Sequence, residues 1–235
     1  MDWKNLIGSN NNKSRLYEIA LTTHCNANCP LCPRTDKDTG VRKESILLEH
    51  ISFDDCKNFI DQIQPRPIDI INFCGDYGDP VMHPDIEKLI DYVIQTYKSS
   101  VHFDTNGSIR NEDFYDRISK YKDKIYIHFS LDGFDHDTNH KYRIGVDFNK
   151  AFKNLKAFSK NNPRNCCWKM IIFDYNYKQI DQVASFCKEN NIQFYFYLNT
   201  RIWKHKVEDK DIVQYVKQKQ YEYRHLTWNT YENTM

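Results

Sequence analysis

The chain reads as an α/β protein, an incomplete parallel (βα)6 barrel, on three observations. Apolar runs of strand length alternate six times with helical stretches, the pattern of βα units on a parallel sheet. The polar motifs follow the strands directly, and in parallel α/β folds that edge is where ligands bind. At 235 residues the chain fits one domain with a full core.

The organisation that follows is an N-terminal arm at 1–14, a core domain at 15–200 and a C-terminal extension at 201–235 that closes the barrel. The arm ends in the polar run Gly8-Ser-Asn-Asn-Asn-Lys-Ser14. Leu16 to Thr22 reads as a buried first strand. Ser52, with Asp54 and Asp55 behind it, caps a helix that Pro65 and Pro67 stop near Gln64. Ile68 to Phe73 is nearly continuous in apolar residues, as a strand buried on both faces should be. Ile86, Leu89, Ile90, Val93 and Tyr97 line one face of a helix whose first turn admits Pro84. Val101–Phe103 is a short strand, Asn111–Tyr121 a helix and Ile125–Phe129 the fourth strand. Phe148, Phe152, Leu155 and Phe158 mark the next helix, and Trp168–Phe173 the fifth strand. Ile180, Val183, Ala184 and Cys187 mark a further helix before the sixth strand at Ile192–Leu198.

Bulk properties narrow the partners. A net charge of +1 supplies no electrostatic reason to expect nucleic acid or an anionic membrane. No apolar run approaches the roughly 18 residues of a membrane span, and Met1-Asp2-Trp3-Lys4 does not open like a signal peptide. Eight cysteines without an export signal, the tightest of them at metal-ligand spacing, fit a reducing cytoplasm better than a disulfide framework.

That tight group is Cys25, Cys29 and Cys32, spaced C-x3-C-x2-C in the loop after the first strand. Three thiolates on one loop can bind three corners of a cubane iron–sulfur cluster and leave the fourth iron without a protein ligand. An electron-carrying [4Fe–4S] site uses four cysteines, and a structural zinc site also prefers four closed ligands. Buried packing of three cysteines fits badly with a segment studded with Pro and Asn. The cluster is therefore favoured over zinc, and zinc over packing.

With this spacing the sequence resembles the radical S-adenosylmethionine (radical SAM) superfamily, and further motifs agree. Tyr77-Gly78-Asp79-Pro80 resembles the Gly-Gly-Glu-Pro element that meets the methionine amino group, with Tyr for Gly and Asp for Glu. Asn106, in Thr105-Asn106-Gly107, matches an element at a later strand end. Ser130-Leu131-Asp132-Gly133 is similar to the motif of members that often carry SPASM or twitch extensions. There the serine contacts the cofactor, and an arginine placed like Arg143 meets its carboxylate, which a guanidinium can bind by two parallel hydrogen bonds. Leu31 and Leu198 match weaker cofactor contacts, Leu198 near the adenine.

The resemblance implies a TIM-like radical SAM core with one [4Fe–4S] cluster per chain and S-adenosylmethionine as cofactors. It implies an enzyme that cleaves S-adenosylmethionine reductively and abstracts hydrogen from a peptide or small-molecule substrate through a 5′-deoxyadenosyl radical. A reductant such as flavodoxin or ferredoxin would supply the electron. A glycyl-radical-enzyme activase and a non-catalytic metal-binding scaffold are the competing readings; retention of Asp79, Ser130 and Arg143 disfavours the scaffold. No cysteine follows Cys187, so the auxiliary-cluster ligands of SPASM and twitch extensions are missing from the aromatic tail with Trp203, Tyr215, Tyr221, Tyr223, Trp228, Tyr231 and Glu232.

Overall fold

The computed structural model describes residues 13–199 and 206–227. Most of the N-terminal arm, Trp203, Trp228, Tyr231 and Glu232 lie outside the described residues. Six strands, β1 (Leu16–Ala20), β2 (Ile70–Cys74), β3 (Ser100–Thr105), β4 (Ile125–Ser130), β5 (Cys166–Ile172) and β6 (Gln193–Leu198), form one sheet in the order β1-β2-β3-β4-β5-β6. All five pairings are parallel. The sheet is an incomplete (βα)6 barrel: β1 and β6 are its two ends and do not pair with each other.

Helices supply the crossovers: α1 (Phe53–Ile63), α2 (Ile86–Tyr92), α3 (Glu112–Ile118), α4 (His136–His140), α5 (Phe148–Asn161) and α6 (Ile180–Glu189). The Ser52 hydroxyl accepts from the Asp55 amide at the start of α1, and Gln64 ends it in the left-handed conformation. A π-helical turn extends α2 to Tyr97, completing the apolar face that the sequence spacing predicts. After β6, α7 (Lys210–Glu222) docks on the outside: Tyr215 and Tyr223 donate to Asp181 of α6, and Gln220 donates to the Phe196 carbonyl.

The strands alternate more strictly than the sequence suggests. Ile68, expected inside the second strand, is 49% exposed and precedes it, and Leu16 is 45% exposed. Within the sheet, Ile71, Phe73, Phe103, Ile127, Phe129, Trp168, Met170 and Phe194 are buried beneath the helices. Their neighbours Asn72, Cys74, Asp104, Lys169 and Tyr197 line one interior cavity instead. Period-two alternation sends successive side chains to opposite faces, so one wall is apolar and the other polar. TIM barrels fill their interiors with branched apolar side chains; this interior is polar and holds a space of about 390 Å3.

Three further departures have local causes. β3 is six residues long and not three, because its alternation of polar and apolar residues hides its ends. The helix expected to reach Tyr121 ends at Ile118 and runs on as a 3-10 segment to Lys124, with Lys122 at φ +46°. The one-turn α4 was not expected; it begins at Asp135, whose side chain accepts from the Thr138 amide. Five residues carry too little periodicity to show in a sequence.

Candidate active site

The cysteine loop leaves β1 at the C-terminal edge of the sheet and folds through two turns, with the Cys32 amide donating to the Cys29 carbonyl and the Thr35 amide to the Cys32 carbonyl. Cys29 is buried and Cys25 and Cys32 are half-buried. All three line the cavity, together with Gly78, Asp79, Asn106, Ser130 and Arg143. Eight motif residues from five separate loops and strand ends thus converge on it. Leu31 and Leu198 pack against the hydrophobic core and are not among the residues lining the cavity. Leu198 is the residue after Tyr197, which does line it, and strand alternation turns the two to opposite faces.

Each motif is tied to the cysteine loop by its own contacts. A Cβ built on Gly78 would lie 2.1 Å from the Thr22 carbonyl oxygen, so only glycine permits this approach. The next residue continues the seam: the Asp79 amide donates to the His24 carbonyl at 2.8 Å. The Asp79 carboxylate is buried and accepts from the Val81 and Asn106 amides and the Thr105 hydroxyl. Burial dominates over those bonds and pushes its pKa up to about 6. Asn106 donates to Asn26 Oδ1 at 2.7 Å, Asn26 donates to Ser108 Oγ at 2.9 Å, and Ser108 donates back to Asn106 Oδ1. This closed ring fastens the end of β3 to the residue beside Cys25.

Arg143 is set from the other side. Its Nε donates to Asp132 Oδ2 at 2.6 Å, and Asp132 also accepts from the Ile171 amide at 2.6 Å. Nη1 lies 3.8 Å from Cys29 Sγ, and Nη2 has no partner among the described residues. Burial opposes the charge, but Asp132 and Cys29 hold the guanidinium protonated above its ordinary range. The loop that follows clasps the cysteine loop, with the Asn28 amide on the Ile144 carbonyl and Gly145 at φ +88° against the Asn26 carbonyl.

Residues that the motifs do not single out complete the cavity. Asp132, quoted only as part of Ser-Leu-Asp-Gly, is the carboxylate that orients Arg143. Asp104 binds His128 Nδ1 through one oxygen at 2.7 Å and Lys169 Nζ through the other at 2.5 Å. Burial works to neutralise Asp104, yet His128 and Lys169 outweigh it and keep the carboxylate ionised. Cys74 also lines the cavity, its thiol pushed up to about 11 by burial and by Asp76 and Glu18. Strand periodicity could have found Asp104 and Lys169, both inward polar residues beside outward apolar ones.

Three properties fit the cavity to an open-cornered cluster with an amino-acid cofactor. First, donors approach the sulfurs: the Ala27 amide at 3.4 Å and Asn106 Nδ2 at 3.9 Å on Cys25, and Arg143 on Cys29. Burial and Asp79 raise the Cys25 thiol to about 12 even with the Ala27 amide pulling it down, and that amide is a bond that favours the thiolate an iron needs. Second, Cys25, Cys29 and Cys32 line one shared cavity, so three thiols of one loop face a common space. Third, an acid (Asp79) and a guanidinium (Arg143) both line that space, matching an ammonium and a carboxylate.

Comparison with known proteins points the same way. The family model described as the radical SAM superfamily matches residues 19–187. The antilisterial bacteriocin subtilosin biosynthesis protein AlbA of Bacillus subtilis (strain 168) is 25% identical over 154 residues, 65% of this chain and 32% of its own. Streptococcus suis SuiB bound to S-adenosylmethionine superposes with a TM-score of 0.67 at 19% identity, over 89% of this chain and 48% of that one. SuiB has also been solved with its precursor peptide SuiA. Native anSMEcpe with bound AdoMet gives a TM-score of 0.66 at 17% identity, over 90% of this chain and 61% of that one. The chain thus spans about a third of the curated relative and about half of SuiB.

Proposed function

The chain belongs to the radical SAM superfamily, and from that membership we propose an enzyme that cleaves S-adenosylmethionine reductively and abstracts a hydrogen atom from a peptide or small-molecule substrate. One observation carries the reading: Cys25, Cys29 and Cys32 share a single cavity with Asp79, Ser130 and Arg143. When bound, the family's [4Fe–4S] cluster and S-adenosylmethionine supply the 5′-deoxyadenosyl radical, chemistry that belongs to the cofactors.

The residues of this chain bind, orient and shield. The three cysteines would hold the cluster. Asp79, ionised above about pH 6, would take the cofactor ammonium, and Arg143, steadied by Asp132, its carboxylate. Ser130 ends β4 and lines the same cavity, where its hydroxyl can meet a cofactor oxygen. Beyond these lie Glu18, Cys74, Asp104, Lys169 and Tyr197, a polar wall suited to a substrate with hydrogen-bonding groups. A peptide is the favoured substrate, because SuiB, which shares the fold, binds its precursor peptide and AlbA is named for bacteriocin biosynthesis. The electron would come from a reductant such as flavodoxin or ferredoxin.

The test is anaerobic reconstitution with iron and sulfide, followed by incubation with S-adenosylmethionine and dithionite. Wild type should show charge-transfer absorption and release 5′-deoxyadenosine. The Cys25→Ala, Cys29→Ala, Cys32→Ala variant should do neither. Full iron and sulfide content in that variant sinks the assignment.

A further inference from the structure

Arg34 follows the last cysteine of the triplet by two residues and is only 3% exposed. Its guanidinium is spent on the loop that carries the cysteines: Nη1 donates to the Ala27 carbonyl at 3.0 Å and the Cys25 carbonyl at 3.4 Å, and Nη2 to the Thr23 carbonyl at 3.3 Å. Two features are left over. Nε is buried without a hydrogen-bond partner, which costs about 1–3 kcal/mol when nothing accepts from it. The charge also meets no carboxylate among the described residues, unlike Arg143 with Asp132 or Arg66 with Asp69. A buried cation without an anion is strongly unfavourable, so the site is incomplete as protein alone.

The missing anion is at hand on the same cavity wall, since Arg34 lines it with Cys25, Cys29 and Cys32. A [4Fe–4S] cluster on three thiolates carries net negative charge, and one more unit once reduced. Net charge and hydrogen bonds to the sulfurs are the main levers on such a cluster's potential. Resting on the radical SAM reading, we infer that Arg34 is the fixed cation that favours the reduced cluster, acting through its charge on the loop that carries Cys25. It is a positioning residue for the loop and an electrostatic one for the cluster, from a place two residues beyond the signature spacing.

The experiment uses the anaerobically reconstituted enzyme without S-adenosylmethionine and follows the reduced-cluster signal by electron paramagnetic resonance at set potentials. Iron content is measured on every sample. Arg34→Met should keep most of its iron, while the ratio of reduced to oxidised cluster at a given potential falls about tenfold, a shift of about 59 mV for one electron. Arg34→Lys, which keeps the charge but cannot span the three loop carbonyls, should fall between the two. Full iron with an unmoved potential in Arg34→Met makes Arg34 a loop tie only and overturns the inference. If Arg34→Met cannot hold a cluster, Arg34→Lys decides: a ratio lowered about threefold supports the proposal, and an unmoved one overturns it. A potential that is unmoved while calorimetric affinity for S-adenosylmethionine drops assigns the Arg34 charge to the cofactor, which also overturns it. Wild type that binds no cluster defeats the radical SAM reading itself, a result separate from any of these.

Discussion

Arg143 owes its position to Asp132, eleven residues earlier, which grips its Nε and leaves Nη2 without a partner among the described residues. Losing a charge-assisted contact in so buried a place should cost on the order of 2–4 kcal/mol of binding, roughly 30- to 700-fold in affinity. Arg143→Ala is therefore expected to assemble its cluster and to bind S-adenosylmethionine weakly by calorimetry; unchanged affinity would return Arg143 to a structural ion pair. Asp79 makes a pH prediction. Its folded pKa, raised to about 6 by burial, leaves the carboxyl protonated below that pH, where it cannot neutralise an ammonium. Affinity for S-adenosylmethionine should be about fourfold weaker at pH 5.5 than at pH 7.5, and Asp79→Asn should be weak and flat across that interval. The same raised value adds stability below pH 4 that is lost as pH rises through 6, so the cofactor-free protein opposes ionising Asp79 and the cofactor favours it. The motif residues were legible because they sit in short signatures after strands. Asp132 as the partner of Arg143, and Arg34 as a buried cation, were not, because a contact between residues distant in sequence or a burial state leaves no local pattern.

At the scale of elements, β5 shows how packing outside the barrel aims chemistry inside it. Trp168 is fully buried, stacks on Phe134 at 5.6 Å, meets Phe152 and Phe186 edge-on and donates to the Leu131 carbonyl. With Trp168 locked outward, alternation turns Lys169 inward to its 2.5 Å bond with Asp104. Trp168→Ala should cost about 3–5 kcal/mol, lowering the melting temperature by roughly 10 °C; a shift under about 3 °C would mean that the cluster of rings does not anchor the strand. The helices were easier to read than the strands. Apolar residues at i, i+3 and i+4 in α1, α2, α5 and α6 mark one covered face, and caps such as Ser52 mark an end. The second strand misled, since Ile-Asp-Ile-Ile-Asn-Phe reads as nearly continuous in apolar residues while its polar Asn72, like Cys74 after it, reaches the cavity.

For the molecule as a whole, the placement of its eight cysteines decides how many clusters this chain can carry. The signature three, Cys25, Cys29 and Cys32, line the cavity, and Cys74 reaches it from β2. Of the other five, Cys56 is buried on α1 and Cys187 on α6. Cys166 faces the helices, its sulfur 4.0 Å from the Leu155 carbonyl, whereas Cys167 is the next residue along β5 and so turns the other way. Cys74 lies on the cavity wall at the end of β2, 3.8 Å from an Asp76 oxygen. A second cluster needs ligands converging around one space, ordinarily four thiolates, and these five are divided between two faces of the sheet and two different helices. The radical SAM relatives with the same fold are longer, so the count applies to these 235 residues. Reconstituted chain should carry about four irons, those of a single [4Fe–4S] site, and none after Cys25, Cys29 and Cys32 are replaced by alanine. About eight irons in wild type, half of them surviving in the triple variant, would require the scattered cysteines to come together and would contradict the packing of α1, α6 and β5 described here.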